Sequence, residues 1–172
     1  MEKVLVNRVA NSNLVTINLE KFFPEKPIVS FDIKDFLFQG LILKEKDFRT
    51  ALKEFDWNKL EEVHLCMYCS TDAIIPTWAY MLVASYAEGI SHSVFQGNEK
   101  EFLNYYYNNY IKSIDPNDYL DERIVIKGCS DKPVPPGAYA VLTSLLKPVA
   151  RSIMYGEPCS TVPIYKKARV KK

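Results

Sequence analysis

The apolar residues of this chain change period along its length, and that change narrows the fold more than any other feature. From Leu14 to Leu19 they alternate, with Val15, Ile17 and Leu19 on one face and Thr16 and Asn18 on the other. The pattern recurs at Val29, Phe31 and Ile33 against Ser30, Asp32 and Lys34. The connector from Lys21 to Pro27 is rich in turn residues, so the spacing predicts two half-buried antiparallel strands. A further apolar run, Phe36 to Leu43, is broken by Gln39-Gly40 and is expected to pair nearby.

Beyond residue 44 the spacing becomes helical. Phe48, Ala51, Leu52 and Phe55 fall on one helix face, and Val63 to Tyr68 reads as a buried strand. Ile74 to Ala87 predicts a helix buried around most of its circumference, and Ser93 to Phe95 a short strand. Glu99 to Ile114 predicts a helix with Leu103, Tyr106, Tyr110 and Ile114 on one stripe. Arg123 to Lys127 is a further strand and Pro136 to Tyr155 a further helix. Strands alternating with helices imply right-handed crossovers and parallel pairing. The expected fold is therefore α/β: a single mixed sheet with parallel core strands, an antiparallel N-terminal edge and packed helices. The order of elements from Leu41 to Gln96 has a STAS-like pattern.

With 172 residues, 48% of them apolar, and no Pro/Gly/Ser-rich linker, one domain over residues 1–165 is expected. The four cysteines are too few and too unevenly spaced for a disulfide framework. The longest apolar stretch, Ala73 to Ala87, contains Pro76, Thr77 and Ser85 and is shorter than the roughly 20 residues that span a bilayer. With no signal-peptide pattern at the N-terminus, a soluble cytoplasmic protein without membrane association is expected.

The formal charge of +1 conceals an asymmetry. Lys166, Lys167, Arg169, Lys171 and Lys172 make residues 166–172 a basic tail, leaving 17 of the 22 basic residues against 21 acidic ones. An acidic body offers no footprint for a phosphate backbone, so nucleic acid is not an expected partner. The Tyr105-Tyr106-Tyr107 cluster with Tyr110 reads as a packed helix face rather than a base-stacking platform.

Two segments resemble each other. Val63 to Asp72 and Ile124 to Asp131 are each a buried strand ending in Cys-Ser with an aspartate just beyond. A proline follows each cysteine by seven residues (Pro76, Pro136), and an Ala-Tyr pair opens each helix (Ala79-Tyr80, Ala138-Tyr139). A third Cys-Ser, Cys159-Ser160, follows Gly156-Glu157-Pro158, which reads as the end of the last helix. In a parallel sheet the loops after the strands converge at the carboxyl edge, where ligands bind. Cys69, Cys129 and Cys159 are thus the candidate metal ligands, with Asp72, Asp131 or Cys66 as an additional ligand or supporting group. Such a set would suit zinc or an iron–sulfur cluster. Cys66 and Cys69 point to opposite faces if the strand runs through both, which favours packing for Cys66. Ser70, Thr71 and Ser130 are candidate anion-binding hydroxyls; Ser70, Asp72, Ser130 and Asp131 also suit helix caps. A cysteine nucleophile at Cys69 or Cys129 would need a base, and only His64 and His92 exist, neither expected at that edge.

The stretches Phe31 to Arg49, Cys69-Ser-Thr-Asp-Ala-Ile-Ile-Pro-Thr-Trp-Ala-Tyr-Met-Leu82 and Tyr155-Gly-Glu-Pro-Cys-Ser-Thr-Val-Pro163 resemble bacterial domain-of-unknown-function family 2480, from about Val4 to Lys166. The family supplies no residue roles. The resemblance implies an association with iron–sulfur assembly proteins. Three readings follow: a metal- or iron–sulfur-associated accessory protein; a thiol-dependent enzyme or small-anion binder at the same edge; and a protein-interaction module whose cysteines only pack.

Overall fold

Both alternating N-terminal runs form strands, β1 (Leu14–Asn18) and β2 (Ile28–Asp32), but each finds its partner far along the chain. The computed structural model describes residues 14–128 and 131–168. The chain forms two compact units: a continuous one, Pro24–Leu103, and a split one made of Met1–Phe23 and Asn104–Lys172.

In the continuous unit, β2 leads into a 3₁₀ turn at Ile33–Phe36, then α1 (Glu45–Glu54), a second 3₁₀ turn at Trp57–Leu60 and β3 (His64–Tyr68). After α2 (Thr77–Ala87) comes β4 (Ser93–Gln96). The sheet order is β2-β3-β4, all parallel. Central β3 is buried at its first four residues, because a parallel strand between crossovers is covered on both faces. Phe31, Ile33, Phe48, Leu52, Leu65 and Val83 fill the core. Each large apolar side chain buried this way contributes about 1.5–3 kcal/mol.

In the split unit, β1 leads into a 3₁₀ turn at Leu19–Phe22. The unit resumes within α3 (Glu99–Lys112), then a 3₁₀ turn at Pro116–Tyr119, β5 (Arg123–Lys127), α4 (Pro136–Leu146), β6 (Ser152–Glu157) and β7 (Ser160–Lys166). The order is β1-β5-β6-β7; the first three are parallel and β7 is antiparallel to β6.

The two units are built on one plan. A constant step of 59 residues carries His64 of β3 to Arg123 of β5, Ser93 of β4 to Ser152 of β6, and Thr77 of α2 to Pro136 of α4. The step holds in detail. Glu62 and Asp121 both have left-handed backbones, φ 58° and 56°, and their amides donate to the carbonyls of Ile90 and Val149. Gly97 and Gly156 both take positive φ. Phe48 and Tyr107, and Leu52 and Ile111, are buried at equivalent helix positions. A step of 14 relates β1 and its turn to β2 and its turn: the Asn18 and Asp32 side chains each accept the amide two residues on, at 3.1 and 3.0 Å.

The expected α/β class, with parallel and antiparallel strands and packed helices, is what forms; its arrangement differs from expectation in five respects. The strands lie in two sheets rather than one. β1 and β2 are not an antiparallel edge: each enters a 3₁₀ turn and pairs in parallel with an apolar strand, β1 with β5 and β2 with β3. The strand–helix–strand–helix–strand order begins at β2, not at Leu41, since Phe38 and Ile42 only close a tight turn. The helix expected over 136–155 ends at Leu146, because Pro148 cannot continue it, and Ser152–Glu157 is a strand. On α3 the buried stripe runs through Leu103, Tyr107 and Ile111, not Tyr106 and Tyr110.

Candidate functional site

The carboxyl edge of the continuous unit's sheet gathers residues from every strand. Asp32 ends β2, Cys69 follows β3, and Gln96 ends β4. Asp32 Oδ1 accepts the amide of Ser70 at 3.0 Å and that of Lys34 at 3.0 Å, which pins the loop after β3 to the end of β2. Partial burial pushes the Asp32 carboxyl up. Hydrogen bonds from the Ser70 hydroxyl and the Lys34 and Ser70 amides outweigh it and hold the carboxyl below its ordinary value. Cys69 Sγ lies 3.2 Å from Thr71 Oγ1. Tyr80, in the first turn of α2, leans into the same cluster. Burial lifts its phenol, neighbouring Cys69 and Asp32 add to the rise, and a hydrogen bond with Gln96 opposes it.

The other cysteines have different surroundings. Cys66 is wholly buried inside β3, and burial pushes its thiol up to about 11, so it stays protonated and inert. Cys159 is exposed in the turn between β6 and β7, so the third Cys-Ser caps a hairpin rather than ending a helix. Cys129 and Ser130 lie outside the described residues. Asp72 and Asp131 are exposed, and the Asp131 amide donates to Glu20 at 2.8 Å. Neither aspartate caps a helix, nor does Ser70: the caps of α2 and α4 are Pro76 and Pro135, without a side-chain bond. Cys69 belongs to the continuous unit and Cys159 to the split one. Among the described residues, no group of three or more His, Cys, Asp and Glu side chains is arranged to hold a metal ion.

The histidines sit at the far end of the strand from Cys69. His64 opens β3, donating to or accepting from Ser93 Oγ at 2.7 Å, with the His92 ring 5.0 Å away. Five strand residues, roughly 16 Å, separate His64 from Cys69. That distance leaves the thiol without a histidine base in its own unit.

The 59-residue step sets Cys69 opposite Gly128, not Cys129. At Gly128, φ +153°, a Cβ would lie 2.8 Å from the Tyr139 hydroxyl. Tyr139 is the counterpart of Tyr80 and fills the space a side chain would need, so this position requires glycine. Beside it lies a groove of about 680 Å³. Ile126 and Ile153 come from the sheet, Pro136, Tyr139 and Thr143 from α4, and Tyr155 from β6; Ile164 of β7 closes one side. The groove is mainly apolar, and the rings of Tyr139 and Tyr155 in its lining meet edge to face at 5.6 Å. Its residues were not singled out as a site from sequence, although the Ala79-Tyr80 and Ala138-Tyr139 pairs mark the equivalent turns.

The class this fold defines is a duplicated α/β protein, one plan of strands and helices used twice. The chain belongs to the family described as "Protein of unknown function (DUF2480)", whose model matches residues 3–167. No curated protein and no solved structure matches it. No helix among the described residues is long and apolar enough to cross a membrane.

Proposed function

We propose that the chain is a non-catalytic binding protein and that the groove of the split unit takes an apolar or aromatic small molecule. One observation carries this reading: a mainly apolar concavity of about 680 Å³, lined by α4 and by strands of a largely parallel sheet and reaching the end of β5 at Ile126. The distance between Cys69 and the histidines favours binding over thiol catalysis. The test is titration with the apolar dye anilinonaphthalene sulfonate. One saturable site per chain is expected, weakened at least tenfold by Thr143→Trp, which fills the groove, with the thermal melt preserved. Unsaturable binding, or binding indifferent to Thr143→Trp, overturns the reading.

A second reading is a metal- or iron–sulfur-associated accessory role through Cys69, Cys129 and Cys159, with iron–sulfur assembly proteins as partners. It is favoured by the free thiols of Cys69 and Cys159, the first partly exposed and the second exposed. Metal analysis and an absorption spectrum of protein purified without oxygen test it. Stoichiometric zinc or iron lost in Cys69→Ser supports it, and metal-free protein removes it.

A further inference from the structure

The split unit carries a second concavity, at the amino edge of its sheet, the opposite edge from the groove. It measures about 450 Å³ and is lined by Arg123, Arg151, Ser152, Tyr165, Lys166 and Lys167 together with Met154 and Pro163. Strand register explains why the charges converge. Arg123 pairs with Ser152 across β5 and β6, and Ser152 pairs with Lys166 across β6 and β7. Directly paired residues share a face, so these three form one row on the same side of the sheet. Arg151 and Lys167 flank the row and are joined through their backbones, the Lys167 amide donating to the Arg151 carbonyl at 3.0 Å.

The cations are poorly neutralised. Asp121 lies 3.8 Å from Lys167, and among the described residues Arg123, Arg151 and Lys166 have no ion pair. The counterpart positions in the continuous unit are His64, His92 and Ser93, where the buried His64 ring packs against Phe102 and bonds Ser93. One plan thus gives a half-sealed histidine pair, with His64 buried, in one unit and an open basic hollow in the other.

We propose that this hollow binds a small polyanion carrying two or more phosphate groups. A row crossing three strands spans roughly 10 Å, too wide for one phosphate to neutralise both ends. Arginine forks match phosphate oxygens in pairs, the lysines add point charges, and the Ser152 hydroxyl supplies a neutral donor. The volume falls within the usual range for small-ligand sites.

The test is calorimetric titration of the full chain with inorganic tripolyphosphate and, separately, with ATP at about 50 mM salt, where phosphate contacts are least screened. The expected result is saturable binding of at least one of them with one site per chain. Whichever binds more tightly tells an inorganic from a nucleotide source. Arg123→Gln and Arg151→Gln should each weaken binding at least tenfold, and Arg151→Lys, which keeps charge but loses the fork, at least threefold. Lys46→Gln, at an exposed position of α1, should change it less than twofold. The substituted residues are exposed, and unchanged thermal melts would show that the variants fold. Absence of saturable binding to both probes overturns the proposal. So does a loss in Lys46→Gln equal to that in Arg151→Gln, or an affinity for a single-stranded oligonucleotide more than tenfold above that for tripolyphosphate.

Discussion

The two units share one sequence of elements and differ at their edges. At the carboxyl edge, the continuous unit places Asp32, Cys69, Thr71, Tyr80 and Gln96 in a hydrogen-bonded polar cluster. The split unit has Asn18, Gly128, Tyr139 and Tyr155 at the corresponding positions, and β7, which has no counterpart, contributes to the wall of an apolar groove. At the amino edge, a half-sealed histidine pair in one unit stands where two open arginines stand in the other. A common plan for β3 and β5 therefore fixes the core but leaves each edge free to take its own chemistry. Residues whose equivalents agree in kind are those that pack; residues whose equivalents differ are candidates for function.

That distinction can be broken at several points. The largest effect is expected in the shared core: Phe48→Ala should cost about 3–5 kcal/mol, read by denaturant unfolding. Its counterpart Tyr107 also donates from its hydroxyl to the Leu19 carbonyl at 3.0 Å. Tyr107→Phe keeps the ring and should cost about 0.5–1.5 kcal/mol for the lost hydrogen bond, since the Leu19 carbonyl keeps its place in the 3₁₀ turn. Gly128→Ala should cost about 1–3 kcal/mol, through its positive φ and the Tyr139 hydroxyl. Adding Tyr139→Phe should recover part of that loss, whereas Cys69→Ala at the equivalent position should cost under about 1 kcal/mol. Equal losses at residues 69 and 128 would show that the two edges are not differently built.

Acid should separate the units. Burial first, then the nearby His92 and Lys26 charges, hold the His64 imidazole below its ordinary value. The unfolded chain therefore takes up its proton first, so this stabilisation is complete above about pH 6.5 and is lost as pH falls through the lowered folded value. The counterpart position in β5 holds Arg123 rather than a histidine. Hydrogen exchange at pH 7 and pH 5 should show β3 amides losing more protection than β5 amides, and His64→Gln should abolish the difference. The smallest effect is expected on the surface: Lys127→Ala removes the pair with Glu157, at 2.9 and 3.0 Å, and should cost under about 1 kcal/mol.

Local pattern made most strands and helices legible, including β3, β5 and the apolar faces of α1 and α2. It could not reveal partnership. Alternation makes Leu14–Asn18 a strand whether its neighbour is β2 or β5, and more than a hundred residues separate β1 from β5. The Cys-Ser likeness found the right pair of loops but aligned them one residue out, because matching letters paired Cys69 with Cys129 while the turn geometry pairs Cys69 with Gly128. The helix expected over Pro136 to Tyr155 runs through Pro148, and the apolar residues scattered on both sides of that proline hide the strand that follows it. The apolar groove depends on β7 folding back beside β6, which no single segment records.

The most direct measurement of the central reading is methyl NMR of isoleucine-labelled protein titrated with the same apolar dye. Shifts confined to Ile126, Ile153 and Ile164, saturating at one equivalent, are the predicted result. Shifts centred instead on the exposed Ile42 and Ile74 of the continuous unit, with the groove isoleucines unmoved, would contradict it.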